Sequence, residues 1–249
     1  MAAAAAEAAA SVALARRGDA GRVVAKEAPT DVASEVDRAA EAAAVAVFSA
    51  ARPEDGYLGE EGAERAGART WVVDALDGTL NYLHGLNGWC AAVALEDEHG
   101  PLAAAVCDPV RRELFTAARG EGAACNGRPL RLGGADGADG AASLDHAVIA
   151  TFLHQPKRGL RGVAKTLERV FAEAGSVRIT GSGTLELAYV AAGRLDGWIQ
   201  PATYRWDWVP GALLVTEAGG PATRTPADPD WCIAAATHPL HDALERLTR

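Results

Sequence analysis

Asp74 and Asp77 are the residues of this sequence best suited to chemistry. They follow three apolar residues, a pattern typical of the end of a buried strand. Gly78 allows a close backbone turn after them, and Thr79 offers a hydroxyl that can cap a following helix. Carboxylates suit a hard cation, and free amides at a helix start suit a phosphate. The stretch therefore indicates either a metal-dependent phosphate site or a polar turn that caps a helix.

Other acidic residues stand where the same site could use them. Glu60 and Glu61 end a predicted short strand, Asp37 lies in a predicted helix, and Asp207 stands at a predicted helix start. Each has a simpler interpretation when it is taken singly. The two glutamates suit a solvated turn, Asp37 suits a surface position or the cap formed by Ser34, and Asp207 suits an N-cap. Only their combination favours a shared site.

Composition narrows the classes of function. The 249 residues suffice for one large domain or two small ones that share a core. The formal net charge is −9 and no basic block occurs, so we expect no nucleic-acid partner. An acidic surface repels phosphate esters, so a phosphate site here requires metal ions. The four cysteines form no CxxC pair, which argues against zinc and favours reduced thiols in the cytoplasm.

The sequence also lacks the signals of a membrane protein. No stretch is long and apolar enough to predict a membrane span. The alanine-rich start has no basic residues ahead of it, so it is a poor signal peptide. We therefore expect no membrane partner.

The elements that position the acids begin with two helices and a meander of strands. Helical patterns occupy residues 1–17 and about 34–51, and the second begins with a variant capping box formed by Ser34 and Asp37. Apolar runs separated by turn residues follow between residues 89 and 132, which predicts an antiparallel meander.

The second part of the chain has a different pattern. Residues 133–142 are mostly Gly, Ala and Asp with nothing to bury, which predicts a linker. Beyond it, strands alternate with helices, which predicts an α/β half. We expect an N-terminal α+β half over residues 1–140, with the antiparallel sheet and the metal-binding motifs, and a C-terminal α/β half over 141–249. The two halves would form one compact catalytic unit.

Several motifs in order resemble the inositol monophosphatase family. The hexapeptide at 74–79, Asp-Ala-Leu-Asp-Gly-Thr, is similar to the family's Asp-Pro-Ile-Asp-Gly-Thr signature. Residues 59–61 match its Gly-Glu-Glu element, and residues 206–211 match its Trp-Asp-x-x-x-Gly element. Residues 30–37 match its earlier pair of spaced aspartates, and residues 121–127 resemble its glycine-rich turn. The resemblance covers nearly the whole chain.

The resemblance implies a fold and an activity. The fold is an α/β (α+β) protein, the layered α/β/α/β/α sandwich of the inositol monophosphatase and fructose-1,6-bisphosphatase type. The activity is hydrolysis of a small phosphate monoester by a metal-activated water, with inositol monophosphate as the favoured substrate. Histidinol phosphate, fructose 1,6-bisphosphate and 3′-phosphoadenosine compounds are alternatives within the family. A non-catalytic member that binds a partner is the alternative from another class. The resemblance also implies a lithium-sensitive, cytoplasmic homodimer.

The resemblance further implies roles for individual residues. Two or three Mg²⁺ ions would be held by carboxylates and one backbone carbonyl, from Glu60, Asp74, Leu76, Asp77 and Asp207. Thr79, paired with Asp37 and helped by Glu60, would orient the attacking water. Substrate would be bound by Asp77, Gly78, Thr79, Gly183, Gln200 and Asp207.

The sequence departs from the family pattern at three positions. Ala75 replaces the signature proline but leaves both acids in place. The family's Gly-Thr/Ser-Ala-Ala element appears here as Gly-Ser-Gly-Thr at residues 181–184, so that Gly183 stands in place of an alanine. Gln200, which we place on a strand-to-helix link, stands where many inositol phosphatases have a glutamate that contacts substrate hydroxyls. Because of these changes, the exact substrate stays open, whereas the type of reaction does not.

Overall fold

The computed structural model describes residues 1–26, 28–29, 31–133, 141, 143–153, 157 and 159–249. Thr30 and most of the predicted linker lie outside these ranges, and the predicted boundary at residue 140 stays a prediction. No helix among the described residues is both long enough and apolar enough to cross a membrane.

Seven α-helices form within the described ranges. Their bounds are α1 (Ala2–Ala15), α2 (Glu35–Ala51), α3 (Thr79–Leu83), α4 (Val163–Glu173), α5 (Gly183–Ala191), α6 (Arg205–Glu217) and α7 (His238–Leu247). The predicted capping box at the start of α2 is confirmed, because the Ser34 side chain accepts from the Val36 amide and Asp37 accepts from the Ser34 amide.

The described residues also form fifteen strands. Their bounds are β1 (Val23–Ala25), β2 (Val32–Ser34), β3 (Gly56–Gly59), β4 (Glu64–Arg65), β5 (Thr70–Asp77), β6 (Cys90–Asp97), β7 (Gly100–Asp108), β8 (Glu113–Ala118), β9 (Gly122–Cys125), β10 (Arg128–Leu130), β11 (Val148–Ala150), β12 (Ser176–Arg178), β13 (Gly197–Pro201), β14 (Ala222–Arg224) and β15 (Trp231–Ala235).

These strands form two large sheets and one small hairpin. The first sheet has eight strands in the order β10-β9-β8-β7-β6-β5-β3-β4, and β5 through β10 pair in antiparallel fashion as the predicted meander. The second has five strands in the order β12-β11-β13-β15-β14, in which β11 is parallel to both neighbours. Strands β1 and β2 pair only with each other.

Helices cover the sheets in alternating layers. Helices α1 and α2 pack on one face of the eight-stranded sheet, and α5 and α6 lie between the two sheets. Helices α4 and α7 cover the outer face of the five-stranded sheet. The predicted α/β/α/β/α sandwich is therefore confirmed, with one apolar core around each of the three helical layers.

Small residues let the helices of the outer and middle layers approach closely. Helix α1 packs on α2 and on the eight-stranded sheet, and its Ala5, Ala6 and Ala9 are fully buried. In the middle layer, a Cβ added at Gly211 of α6 would lie 2.4 Å from the Cβ of Leu187 on α5. Contact this close requires glycine at that position, since a side chain there would overpack the interface.

Strand β5 does not end where the sequence predicts. It runs through Asp74 to Asp77, and its pairing with β6 shifts between these residues, because Asp74 lies opposite Ala92 and Asp77 opposite Cys90. Between these two pairs β5 advances by three residues and β6 by two, so β5 contains one extra residue, a β-bulge. On a regular strand, residues three apart point to opposite faces. The extra residue turns both aspartates to the same side.

Helix α5 carries one buried acid among its apolar residues. Glu186 accepts from the amide and the hydroxyl of Thr180, both at 2.7 Å, and from the Trp198 indole at 3.2 Å. Burial raises the pKa of Glu186 to about 7, and the Thr180 and Trp198 hydrogen bonds only partly offset it. Glu186 thereby links the start of α5, the preceding turn and the second sheet.

We expect replacement of Glu186 by glutamine to change how stability depends on pH. The pKa of Glu186 is raised from 4.5 to about 7 in the folded protein, so the carboxyl stabilises the fold fully below pH 4.5 and progressively less up to pH 7. The unaltered protein should lose about 3 kcal/mol relative to Glu186→Gln across that window.

Urea denaturation on either side of that window measures this difference. Glu168→Gln, an exposed acid on α4, is the matched control and should show no such change. A difference between the unaltered protein and Glu186→Gln that stays constant with pH would show that Glu186 keeps an ordinary pKa.

Candidate active site

A cleft near the ends of β5 and β13 collects the predicted site residues. Its lining comes from β5, α3, the turn before α5, β13 and the start of α6. The predicted residues that line it are Glu60, Asp74, Leu76, Asp77, Gly78, Thr79, Gly183, Gln200 and Asp207. Asp37 does not line the cleft and reaches it through Thr79.

Three aspartates converge at the base of this cleft. Asp74, Asp77 and Asp207 each offer a carboxylate oxygen, and these three atoms lie within 4.8 Å of one another. Asp74 is buried and the other two are half-buried. Hard divalent cations such as Mg²⁺ take oxygen ligands of this kind. The donor set fits a divalent-cation site.

Hydrogen bonds fix the orientation of two of these aspartates. The amide of Leu76 donates to Asp74 at 3.0 Å. The Ser182 hydroxyl and the Thr184 amide both donate to the same oxygen of Asp77, each at 2.8 Å. This leaves the second oxygen of Asp77 for a cation. The turn before α5, which Glu186 holds, therefore positions a predicted metal ligand.

The carboxylates of the cleft repel one another. Desolvation and the charges of Glu60, Asp77 and Asp207 raise the pKa of Asp74 well above its ordinary value. Desolvation and the charges of Asp77 and Glu60 likewise raise the pKa of Asp207. Such crowding favours protonation unless cations compensate the negative charge, which is a second reason that the cluster fits metal ions.

Asp207 is not the helix cap that its position allowed. Helix α6 begins two residues earlier, at Arg205, with Tyr204 at the N-cap. Asp207 lies in the first helical turn, where the positive end of the helix dipole favours a carboxylate. Its backbone carbonyl accepts from the Thr184 hydroxyl at 3.0 Å, which ties α6 to α5. The side chain is left to face the other acids.

Thr79 is also not a helix cap. The N-cap of α3 is Gly78, whose φ of 95° lies in the left-handed region that glycine adopts readily. The Thr79 hydroxyl instead lies 2.7 Å from an Asp37 oxygen and 3.1 Å from the Leu76 carbonyl. Both partners are acceptors, so the Thr79 proton is directed to one of them. Its oxygen can then accept a hydrogen bond from a water in the cleft.

Asp37 caps α2 and also contacts Thr79, so the surface position that the sequence allowed is wrong. One of its oxygens accepts from the amide and the hydroxyl of Ser34 and so caps α2. The other accepts from Thr79. Asp37 is 3% exposed, so this hydrogen-bonded pair is held inside the protein. A capping box at the start of α2 therefore orients a hydroxyl in the cleft.

Two lysines that the sequence analysis did not single out also line the cleft. The Lys26 ammonium lies 2.9 Å from a Glu60 oxygen and also contacts Glu61. Burial alone would lower the pKa of Lys26, but the two glutamates outweigh it and raise the pKa. Lys157 is buried, its ammonium lies 4.4 Å from the centre of the Tyr204 ring, and its charge favours the ionised form of Asp207.

Gln200 lies within strand β13 rather than on a link to the next helix, which corrects the predicted placement. It is 2% exposed, and its side-chain oxygen has no hydrogen-bond partner within the described part of the chain. A Cβ added at Gly183 would lie 3.1 Å from that oxygen. A buried acceptor without a donor costs about 1–3 kcal/mol, which a donor from a ligand would recover.

Only weak sequence signals point to the site residues that were not predicted. Glu186 is a charged residue in an otherwise apolar helix, and a glutamate is seldom fully buried unless it has a partner. Lys26 and Lys157 stand in segments without regular periodicity, so only the folded arrangement brings them to the acids.

Comparisons with known proteins agree with this arrangement. The model of the Inositol monophosphatase family matches residues 1–244. An inositol-1-monophosphatase of Rhizobium meliloti is 43% identical over 199 residues, which cover 78% of this chain and 73% of that protein. A protein of Escherichia coli named Nus factor SuhB is 39% identical over 194 residues, which cover 76% of this chain and 70% of that protein.

Solved structures show the same fold. The extragenic suppressor protein SuhB of Bartonella henselae has a TM-score of 0.88 and 35% identity, and the match covers 98% of this chain and 95% of that one. The IMPase of Thermotoga maritima has a TM-score of 0.83 and 28% identity, with coverage of 96% and 92%. From the family match and these relatives, this chain belongs to the inositol monophosphatase family.

Proposed function

We propose that this protein is a Mg²⁺-dependent phosphomonoesterase that acts on a small phosphorylated alcohol, with inositol monophosphate as the favoured substrate. The observation that carries the proposal is the convergence of Asp74, Asp77 and Asp207 within 4.8 Å. Beside them stands the Thr79 hydroxyl, which lies 2.7 Å from an Asp37 oxygen. Membership of a family named for a phosphatase supports the same reaction class.

The residues proposed to hold two or three ions are Glu60, Asp74, the carbonyl of Leu76, Asp77 and Asp207. Bound there, Mg²⁺ supplies a Lewis acid that lowers the pKa of a water and offsets charge on the reacting oxygens. Oxygen is the sole donor type in this set, which suits Mg²⁺ better than a softer metal.

The chain's own groups are proposed to orient the reactants. Thr79 directs its proton toward Asp37 or the Leu76 carbonyl, so its oxygen accepts a hydrogen bond from the attacking water. Gln200 accepts a hydrogen bond from a hydroxyl of the alcohol. The amides of Gly78 and Thr79 are the proposed donors to the phosphate, as the family resemblance implies.

A non-catalytic, partner-binding role is the second candidate, and the relatives named Nus factor SuhB favour keeping it. Crowded carboxylates that repel one another destabilise a fold, and a surface used only for binding has no need of them. The acid cluster therefore favours catalysis. Lithium sensitivity, a homodimer, cytoplasmic location and the absence of a nucleic-acid partner stay predictions.

We expect hydrolysis of the ester to depend on Mg²⁺ and on Asp74. Phosphate release from inositol 1-phosphate, histidinol phosphate, fructose 1,6-bisphosphate and adenosine 3′,5′-bisphosphate should be seen with Mg²⁺ and lost with chelator. Asp74→Asn removes a charge from the centre of the acid cluster and should lower kcat by at least about 10³-fold.

Asp242→Asn, an exposed acid on α7, is the matched control and should leave kcat unchanged. Turnover in chelator, or in Asp74→Asn at the rate of the unaltered protein, would contradict the mechanism. Failure of the unaltered protein to release phosphate from any ester would favour the partner-binding role.

We expect Gln200→Glu to shift the choice of ester toward inositol 1-phosphate. The new carboxylate adds negative charge to the cleft that Asp207 also lines, and it still accepts from a hydroxyl, so it should disfavour an ester with a second anionic group. The ratio of kcat/KM for inositol 1-phosphate to that for fructose 1,6-bisphosphate should rise about tenfold or more.

Gln200→Met, which is uncharged and of similar length, is the control for loss of the acceptor alone. It should lower kcat/KM for both esters without raising the ratio. An unchanged ratio in Gln200→Glu would mean that Gln200 does not face the substrate.

A further inference from the structure

Lysine is rare in this chain, and its placement is selective. Only three of the 24 basic residues are lysines. Lys26 and Lys157 line the cleft, and Lys165 lies exposed on α4. Arginine presents a planar fork of donors, whereas lysine carries a compact charge on a flexible four-carbon stem. A compact ammonium is the side-chain group that most closely resembles a small cation among carboxylates.

Lys26 contacts Glu60, which lines the cleft beside the three aspartates. Its ammonium lies 2.9 Å from a Glu60 oxygen and contacts Glu61 as well. Glu61 is fixed in turn, because its amide donates to Glu41 at 2.8 Å. The Lys26 side chain is 24% exposed and that of Glu60 is 26% exposed, so the pair is open to the cleft.

Lys26 lies just past the end of β1, in the small hairpin that β1 and β2 form. The residue follows β1, and its amide donates to the Asp31 carbonyl at 2.7 Å, which closes the turn toward β2. Strands β1 and β2 join neither large sheet. The long side chain can therefore move without disturbing either sheet.

We propose that Lys26 is a tethered cation, which holds Glu60 in the metal-free protein and turns to the phosphoryl oxygens of the ester when a divalent cation binds at Glu60. The proposal rests on the proposed function, because it assumes that the acid cluster binds Mg²⁺ and phosphate. The new element is that Lys26 and Mg²⁺ compete for the Glu60 carboxylate.

Charge balance favours such an exchange. A divalent cation at Glu60 would repel the Lys26 ammonium, which contacts one oxygen of the same carboxylate, and so would weaken that contact. The phosphate group brings negative charge into the same cleft, which Lys26 lines together with Thr79 and Asp77. The ammonium therefore gains an anionic partner at the stage when it loses Glu60.

Titration calorimetry of the chelator-treated protein with Mg²⁺ tests the competition directly. Lys26→Met removes the charge and keeps most of the stem, so the Kd of Mg²⁺ should fall about tenfold as the competitor is lost. Lys165→Met should leave the Kd unchanged. Lys26→Arg keeps the charge on a larger, planar group, so its Kd should lie closer to that of the unaltered protein than the Kd of Lys26→Met does.

Inorganic phosphate titrated in saturating Mg²⁺ tests the second half of the exchange. Its Kd should rise about tenfold in Lys26→Met, because the ammonium is no longer available to the anion. Opposite shifts of the two Kd values support the exchange. An unchanged or weaker Mg²⁺ affinity, an unchanged phosphate affinity, or equal effects of Lys26→Met and Lys26→Arg would overturn it.

Both readouts are independent of turnover. If no ester is hydrolysed by the unaltered protein, the proposed function fails while the two Kd values still decide the exchange. If turnover is normal and the Kd values do not move in opposite directions, the exchange alone fails.

Discussion

Mutual repulsion among the carboxylates of the cleft is the constraint on which the rest of the structure depends. Glu60, Asp74, Asp77 and Asp207 face one space, and desolvation there raises the pKa of each. A protein tolerates such a cluster only when rigid elements hold the acids in place and cations compensate them. That negative charge would be compensated by the proposed Mg²⁺ ions, and the contact between Lys26 and Glu60 compensates part of it. Membership of this family agrees with such a site.

The layered fold meets this requirement by bringing distant elements to one point. The extra residue in β5 turns Asp74 and Asp77 to the same side. The middle layer supplies Asp207 from the first turn of α6, and the turn before α5 donates two hydrogen bonds to Asp77. The outer layer contributes through Asp37, whose capping box at α2 also fixes Thr79. Two of the three helical pairs, α1 with α2 and α5 with α6, therefore contribute residues to the site.

The features that the sequence predicts best are those that depend on residue type alone. The acids were identified from their order and spacing, and the layered fold followed from the family resemblance. The course of β5 through Asp77 was not predicted, because a bulge depends on pairing with β6 and not on the strand itself. Lys26 and Glu60 lie 34 residues apart, so their contact arises only from the tertiary fold.

The most direct test of the account is the thermal unfolding of chelator-treated protein above neutral pH as Mg²⁺ is added. If the acid cluster needs cations, Mg²⁺ at about 100 times its Kd should stabilise the fold by about 2.7 kcal/mol, which raises Tm by about 5–10 °C. Asp74→Asn relieves the repulsion, so its Tm without Mg²⁺ should exceed that of the unaltered protein and should respond little to the ion. A Tm that ignores Mg²⁺, or a lower metal-free Tm in Asp74→Asn, would contradict the account.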